Sequence, residues 1–277
     1  MLPDARAPGD VRLLTDRRPA GTSGGAASVR PTGSPARRPV FDPPAWTGGA
    51  TGRGVRVAVV DSGWDRGQPD PRVLAGVGID PDAGGVGWCA DDHDRIGHGT
   101  GAAHQILAVA PGCRVLPARV FGGALETSPS ALVAALDWSV GQGARVVNLS
   151  LGTEREDAVR PLYAACERAR RAGVIVVAAG GNFGETCYPA VFDPVIGVAM
   201  GQFGSPFEYR YRAGEALEVE AWGVRQPVPG LDGRVSIATG TSVAAPNVAG
   251  IVALLLERHP GARLEQVREL LAEHATG

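Results

Sequence analysis

Four short segments carry side chains that can share one chemistry. Asp61 lies in Val60-Asp61-Ser62-Gly63, His98 in Gly97-His98-Gly99-Thr100, Asn182 in Gly180-Gly181-Asn182, and Ser242 in Gly240-Thr241-Ser242-Val243. A serine hydroxyl is a weak nucleophile at its own pKa. It needs a base to take its proton, an imidazole serves near neutral pH, and a carboxylate fixes the tautomer of that imidazole. A side-chain amide can donate to the oxyanion such an attack creates. Taken singly, each residue has a plainer reading. Asp61 after an apolar run is a turn or helix cap, His98 a satisfied structural histidine, Asn182 a turn residue between glycines, and Ser242 an N-cap.

The elements that must hold these residues follow from the apolar pattern. Val55–Val60 is a β-branched run that stops at Asp61-Ser62-Gly63, the pattern of a strand and a turn. His98–Ala108 reads as a helix ended by Pro111-Gly112, and Arg114–Val120 as a strand. Ser128–Gln142 is a helix with Ser128 at the N-cap and Pro129 in the first turn. Arg145–Leu149, Val174–Ala179 and Val195–Met200 are strands. Val159–Ala172, Ser242–Arg258 and Leu264–His274 are helices. Strands alternating with helices predict an α/β fold of three layers, a mostly parallel β-sheet with helices on both faces. Ligands of such sheets bind at the carboxyl ends of the strands, where Asp61 and Asn182 fall.

On these residues the chain resembles the subtilisin-like serine peptidases. Asp61-Ser62-Gly63, His98-Gly99-Thr100 and Gly240-Thr241-Ser242-Val243-Ala244-Ala245-Pro246 look like that family's three signatures, in its Asp, His, Ser order. Ala110-Pro111-Gly112, the segment Val146–Gly152 and Tyr188-Pro189-Ala190 have family look-alikes in the right order, so the resemblance covers about Ala45 to Ala272. Four independent caps have no reason to fall in that order. The resemblance implies a serine endopeptidase of subtilisin-like fold. Ser242 is its nucleophile, His98 its base and then acid, and Asp61 the partner of His98. Asn182 and the Ser242 backbone N–H form its oxyanion hole, with Thr241 supporting Asn182. An extended peptide or protein substrate is expected along Ser150, Leu151 and Gly152 and along Ala179, Gly180 and Gly181, with Phe183, Glu185 and Cys187 bordering the specificity pocket. A dedicated maturation protease for a leader peptide or partner protein, helped by a separate activating chain, is one form of this function. A weak or inactive peptide-binding protein of the same fold is the alternative.

The chain departs from the family's pattern at three places near the site. Val243 follows the nucleophile where Met is usual, and Gly101 and Asn247 each stand where a His is common. The residues between His98 and Pro111 are too few for the calcium loop of many subtilisins, so no metal and no cofactor is carried over.

Composition bounds the rest. Net charge is −2, and all 27 basic residues are Arg, which excludes lysine chemistry and argues against a nucleic-acid partner. The apolar runs are far short of a membrane span. With no secretory signal pattern at Met1, a cytoplasmic location is expected, or a secreted one for a processed form. The first 50 residues hold eight Pro, seven Gly and seven Arg, and residues 1–44 read as a flexible tail with a helix-like piece at Val11–Leu14. Residues 45–277 form the peptidase domain. Cys89, Cys113, Cys166 and Cys187 match no zinc spacing and read as free thiols. The run Cys89–Asp94 reads as a solvated acidic loop rather than a metal site, and His104, His259 and His274 as surface or end residues of helices.

Overall fold

The computed structural model describes residues 11–12, 41–82 and 85–276. Its centre is a nine-stranded sheet. In chain order the strands are β2 (Arg56–Asp61), β3 (Val77–Asp82), β4 (Gly85–Cys89), β5 (Arg114–Arg119), β7 (Val146–Leu149), β8 (Ile175–Ala179), β9 (Val195–Gly201), β10 (Tyr209–Tyr211) and β11 (Val219–Trp222). Across the sheet the order is β10-β11-β9-β8-β7-β2-β5-β3-β4. The seven strands from β11 to β3 run parallel; β10 and β4 close the two edges in the antiparallel sense.

Five helices cover the sheet: α1 (His98–Val109), α2 (Pro129–Gly141), α3 (Glu156–Arg171), α4 (Thr241–Arg258) and α5 (Leu264–Glu273). Side chains alternate across a strand, and both faces of the central strands are buried. Val57 and Val59 join one core with Ile106, Val248, Ile251 and Val267, from α1, α4 and α5. Ala58 and Val60 join the other with Leu132, Leu136 and Leu162, from α2 and α3. This is the expected three-layer arrangement. Ser128 caps α2 as expected, its hydroxyl accepting the Ala131 N–H at 3.2 Å with proline at the start of the helix.

Several elements lie outside the sequence reading. These are the β3–β4 hairpin, the edge strands β10 and β11, and a separate hairpin of β12 (Gln226–Pro229) and β13 (Val235–Ala238). A two-residue strand, β1 (Val11–Arg12), pairs antiparallel with β6 (Glu126–Thr127), Val11 opposite Thr127. The helix-like piece expected from Val11 is therefore a strand over Val11–Arg12. The rest of the expected flexible tail up to residue 40 lies outside the described residues.

The segment Thr51–Arg53 is tied to the end of α4. The Glu257 carboxylate accepts the N–H groups of Thr51 (2.6 Å), Gly52 (2.6 Å) and Arg53 (2.9 Å). Burial pushes its pKa up, but these three amides outweigh burial and hold it below its ordinary value. All four cysteines are free thiols, and burial raises Cys113, Cys166 and Cys187 to about 12, which leaves them inert. No helix among the described residues is long and apolar enough to cross a membrane.

Candidate active site

Asp61 ends β2, and His98 opens α1 with Gly97 as its N-cap. The two side chains meet: His98 Nδ1 lies 2.8 and 2.9 Å from the two oxygens of the fully buried Asp61 carboxylate. The His98 side chain keeps 22% of its surface exposed. Burial pulls the His98 pKa down. The charge of Asp61, its hydrogen bond and the more distant charge of Asp94 outweigh burial, and the net direction is up.

This contact depends on a close approach that two glycines permit. A Cβ on Gly99 would stand 2.5 Å from the Gly63 carbonyl oxygen, and one on Gly63 would stand 2.2 Å from the Asp92 oxygen. Gly63 also has φ +105°, a region L side chains avoid. In the space so gained, Ser62 Oγ accepts the Gly99 N–H at 2.8 Å, and the Ser62 N–H donates to Asp61 Oδ1 at 2.7 Å. The residue after the acid thus grips the residue after the imidazole.

Ser242 is buried in the first turn of α4, whose N-cap is Gly240 rather than the serine itself. Its N–H belongs to the first-turn amides that an α-helix leaves outside its own ladder, at the positive end of the dipole. Helices α1 and α4 pack against each other in one core, and Gln105 Nε2 of α1 donates to the Val243 carbonyl at 3.0 Å. Asn182 follows β8. Its Oδ1 accepts the Thr241 N–H at 2.9 Å and the Thr241 hydroxyl at 3.1 Å, while that hydroxyl also reaches the Gly180 carbonyl at 2.7 Å. These donors fix which end of the amide is oxygen, so its donor end is the other one.

Ser150, Leu151 and Gly152 leave β7, and Gly180 and Gly181 follow Ala179, the last residue of β8. The two strands are parallel neighbours, Leu149 opposite Ala178, so the segments emerge side by side. Thr153 and Tyr188 exchange backbone hydrogen bonds at 2.9 and 2.8 Å. A Cβ on Gly152 would lie 2.2 Å from Cys187 Sγ, and that sulfur lies 3.7 Å from the Ala179 carbonyl. Cys187 therefore sits between the two segments. Glu185 accepts the N–H groups of Asn182 (3.3 Å) and Phe183 (2.8 Å) and shapes the turn, while Phe183 stands 78% exposed on its rim.

At two of the places where the chain departs from the family's pattern, the residue meets the β12–β13 hairpin. A Cβ on Gly101 would lie 2.7 Å from Val228 of β12. The Asn247 amide pairs both ways with Gln226 of β12 (3.2 and 3.1 Å) and donates to the Trp222 carbonyl at 2.9 Å. Nothing in the structure explains Val243 in place of the usual Met.

The acidic loop corrects the sequence reading. Asp91 is exposed, but Asp92 and Asp94 are buried. Asp92 pairs with Arg66 and accepts the Gly76 N–H at 2.7 Å. Asp91 pairs with Arg95. His104 is also buried, edge-on to Trp64 with Nε2 3.2 Å from Gln68 Oε1, and is not a surface residue. The contacts of Ser62, Gln105 and Gln226 join remote elements and carry little signal in the sequence. Only Ser62, next to Asp61, had a local signal.

A sequence profile of the Subtilase family matches residues 52–277. M-protease of Shouchella clausii is 33% identical over 246 residues, with 85% of this chain and 62% of that protein aligned. A subtilisin of Bacillus pumilus is 32% identical over 240 residues, covering 82% of this chain and 86% of that one. Against several such relatives, subtilisin E of Bacillus subtilis among them, the chain spans about three fifths of their length. Among solved structures, a cold adapted subtilisin-like serine proteinase superposes with a TM-score of 0.66 at 27% identity, covering 81% of this chain and 83% of that one. Fervidolysin from Fervidobacterium pennivorans, described as a keratinolytic enzyme related to subtilisin, gives 0.63 at 28% identity over 80% of this chain and 39% of its own.

Proposed function

Because the chain belongs to the subtilase family, we propose that it is a serine endopeptidase working through Asp61, His98 and Ser242. The observation that carries this reading is the two-oxygen contact of buried Asp61 with His98, on a helix packed against the helix of Ser242. In this mechanism Ser242 Oγ attacks the scissile carbonyl carbon and its proton passes to His98 Nε2. Asp61 holds the Nδ1–H and stabilises the imidazolium. The oxyanion is held by the Asn182 amide and the Ser242 N–H. Collapse breaks the C–N bond, and the amine leaves with the proton from His98. Water, deprotonated by His98, then hydrolyses the acyl-serine ester. The substrate lies along Ser150–Gly152 and Ala179–Gly181.

A serine-directed phosphonate tests this. Wild type is expected to be labelled on Ser242, and Ser242→Ala to lose peptide hydrolysis by about 10⁶-fold. An unlabelled, folded wild type would instead favour the weak or inactive peptide-binding protein. Digestion of a proteome-derived peptide library separates broad cleavage from maturation of one leader peptide or partner protein, the latter giving a single dominant motif.

The pairing of β1 with β6 supports a role for the N-terminal segment. β6 lies in the connection that leaves β5 at the carboxyl edge of the sheet, the edge that carries Asp61. In this reading the segment lies across the cleft as a short inhibitor. Removal of residues 1–40 then raises kcat/KM; an unchanged value overturns the inhibitor reading.

A further inference from the structure

Asp94 stands three residues before the N-cap of α1, and none of its surface is exposed. Its Oδ1 accepts the N–H groups of Ile96 and Gly97, both at 2.8 Å. Its Oδ2 accepts the N–H of Thr100 at 2.9 Å and the Thr100 hydroxyl at 2.7 Å. All four partners are donors, a set that an acceptor-only carboxylate matches and an amide does not. The backbone of Asp94 is tied to the other side of the site. Its N–H donates to the Trp64 carbonyl at 3.0 Å, and the Trp64 N–H to the Asp92 carbonyl at 2.9 Å. Thr100 Oγ1 accepts the Asp65 N–H at 2.9 Å and extends the same link.

Asp94 thus joins the segment that leaves Asp61 to the helix turn that carries His98. We infer that Asp94 is a positioning residue for His98, holding the first turn of α1 against the Asp61 segment and placing a second buried negative charge near the imidazole. The inference rests on the peptidase reading and extends it to a residue outside the triad. An ordinary helix cap would account for the hydrogen bonds alone. The charge is what distinguishes the two, because a carboxylate bonded to Gly97 and Thr100, on either side of His98 in the chain, favours the imidazolium that forms when Ser242 gives up its proton. The direction of the His98 pKa, which the charge of Asp94 helps to raise, is consistent with this.

The charged groups acting on His98 among the described residues are Asp61, from β2, and Asp94. The titratable and charged groups around this corner are Asp92, His93 and Arg95 on the loop of Asp94, Asp65 and Arg66 from the segment after β2, and Asp232 and Arg234 from the hairpin beside α1. All of them stay in place in the test.

The test compares Asp94→Asn and Asp94→Glu in the full chain. One readout is the NMR titration of the His98 imidazole, which needs no turnover. The other is the pH profile of kcat/KM. Asp94→Asn removes the charge, so His98 should titrate at lower pH than in wild type, the acidic limb of kcat/KM should move the same way, and kcat should fall by about 10- to 100-fold with KM little changed. Asp94→Glu keeps the charge but displaces the cap, so the titration should stay near the wild-type position while kcat falls. A folded Asp94→Asn protein with an unshifted His98 titration overturns the inference, as does an Asp94→Glu protein with wild-type kcat. Should Asp94→Asn not fold, the Asp94→Glu result decides. Failure of the peptidase reading would show separately, as a wild type that the phosphonate does not label.

Discussion

Helices α1 and α4, which carry the proposed base and nucleophile, begin differently from α2 and α5. Helix α2 is capped by its own Ser128, and in α5 Gln266 Oε1 accepts the Arg263 N–H at 3.2 Å. Neither Gly97 nor Gly240, the N-caps of α1 and α4, has a side chain to offer. Their first turns are held from outside instead, α1 by Asp94 and α4 by Asn182 acting on the Thr241 N–H. At Gly97 a Cβ would press on Leu231 at 3.2 Å, and the backbone there has φ +94°, a region that favours glycine. The capping acceptors therefore come from neighbouring loops. Of these four helices, two are capped from other segments and two by residues of their own ends.

This contrast can be broken in graded ways. The largest effect is expected from Asn182→Ala, which removes both the oxyanion donor and the external cap of α4. In steady-state kinetics kcat should fall by about 10²–10³-fold with KM nearly unchanged. Thr241→Val keeps the Thr241 N–H but removes the hydroxyl that steadies Asn182. A smaller loss is expected, about tenfold in kcat, and a loss equal to that of Asn182→Ala would mean that the amide is useless unless held.

Next comes pH. The His98 pKa is raised in the folded state. Stability gained from the protonated ring is therefore fully present below the unfolded-state value and is lost as pH rises through the folded one. Activity runs the opposite way, since the base must be neutral. The acidic limb of kcat/KM should lie above the ~6.5 of a free imidazole, while the Tm of the inactive Ser242→Ala protein falls across the same window. An acidic limb below that value would mean that burial outweighs the charge of Asp61 at His98. The smallest effect belongs to the ordinary helices: Ser128→Ala should cost about 1 kcal/mol of stability in denaturant titration and leave kcat untouched.

Much of this division was legible in the sequence. The apolar runs of β2, β7, β8 and β9 announce strands buried on both faces, and the residues at their carboxyl ends announce chemistry. The hairpin β12–β13 was not legible, because Pro227 and Pro229 speak against a strand; a two-stranded ribbon tolerates them where a central strand would not. Strands β3 and β4 were hidden by their glycines, by Pro81 and by the aspartates of β3. Asp94 was hidden by its neighbours. A run of charged residues reads as solvated, and only the fold reveals that alternate members turn inward to donors on another element. In the same way, nothing local in the sequence tells that Asn182 caps a helix that starts 59 residues later.

The hairpin also couples four positions to one another. Val228 lies where any side chain at position 101 would go, and Gln226 is matched to the amide of Asn247. A histidine at position 101 or 247 would require β12 to shift. Substitutions at 101, 226, 228 and 247 are therefore contingent on one another. Enlarging position 101 alone overpacks the site, and changing 226 or 247 alone leaves it half-paired.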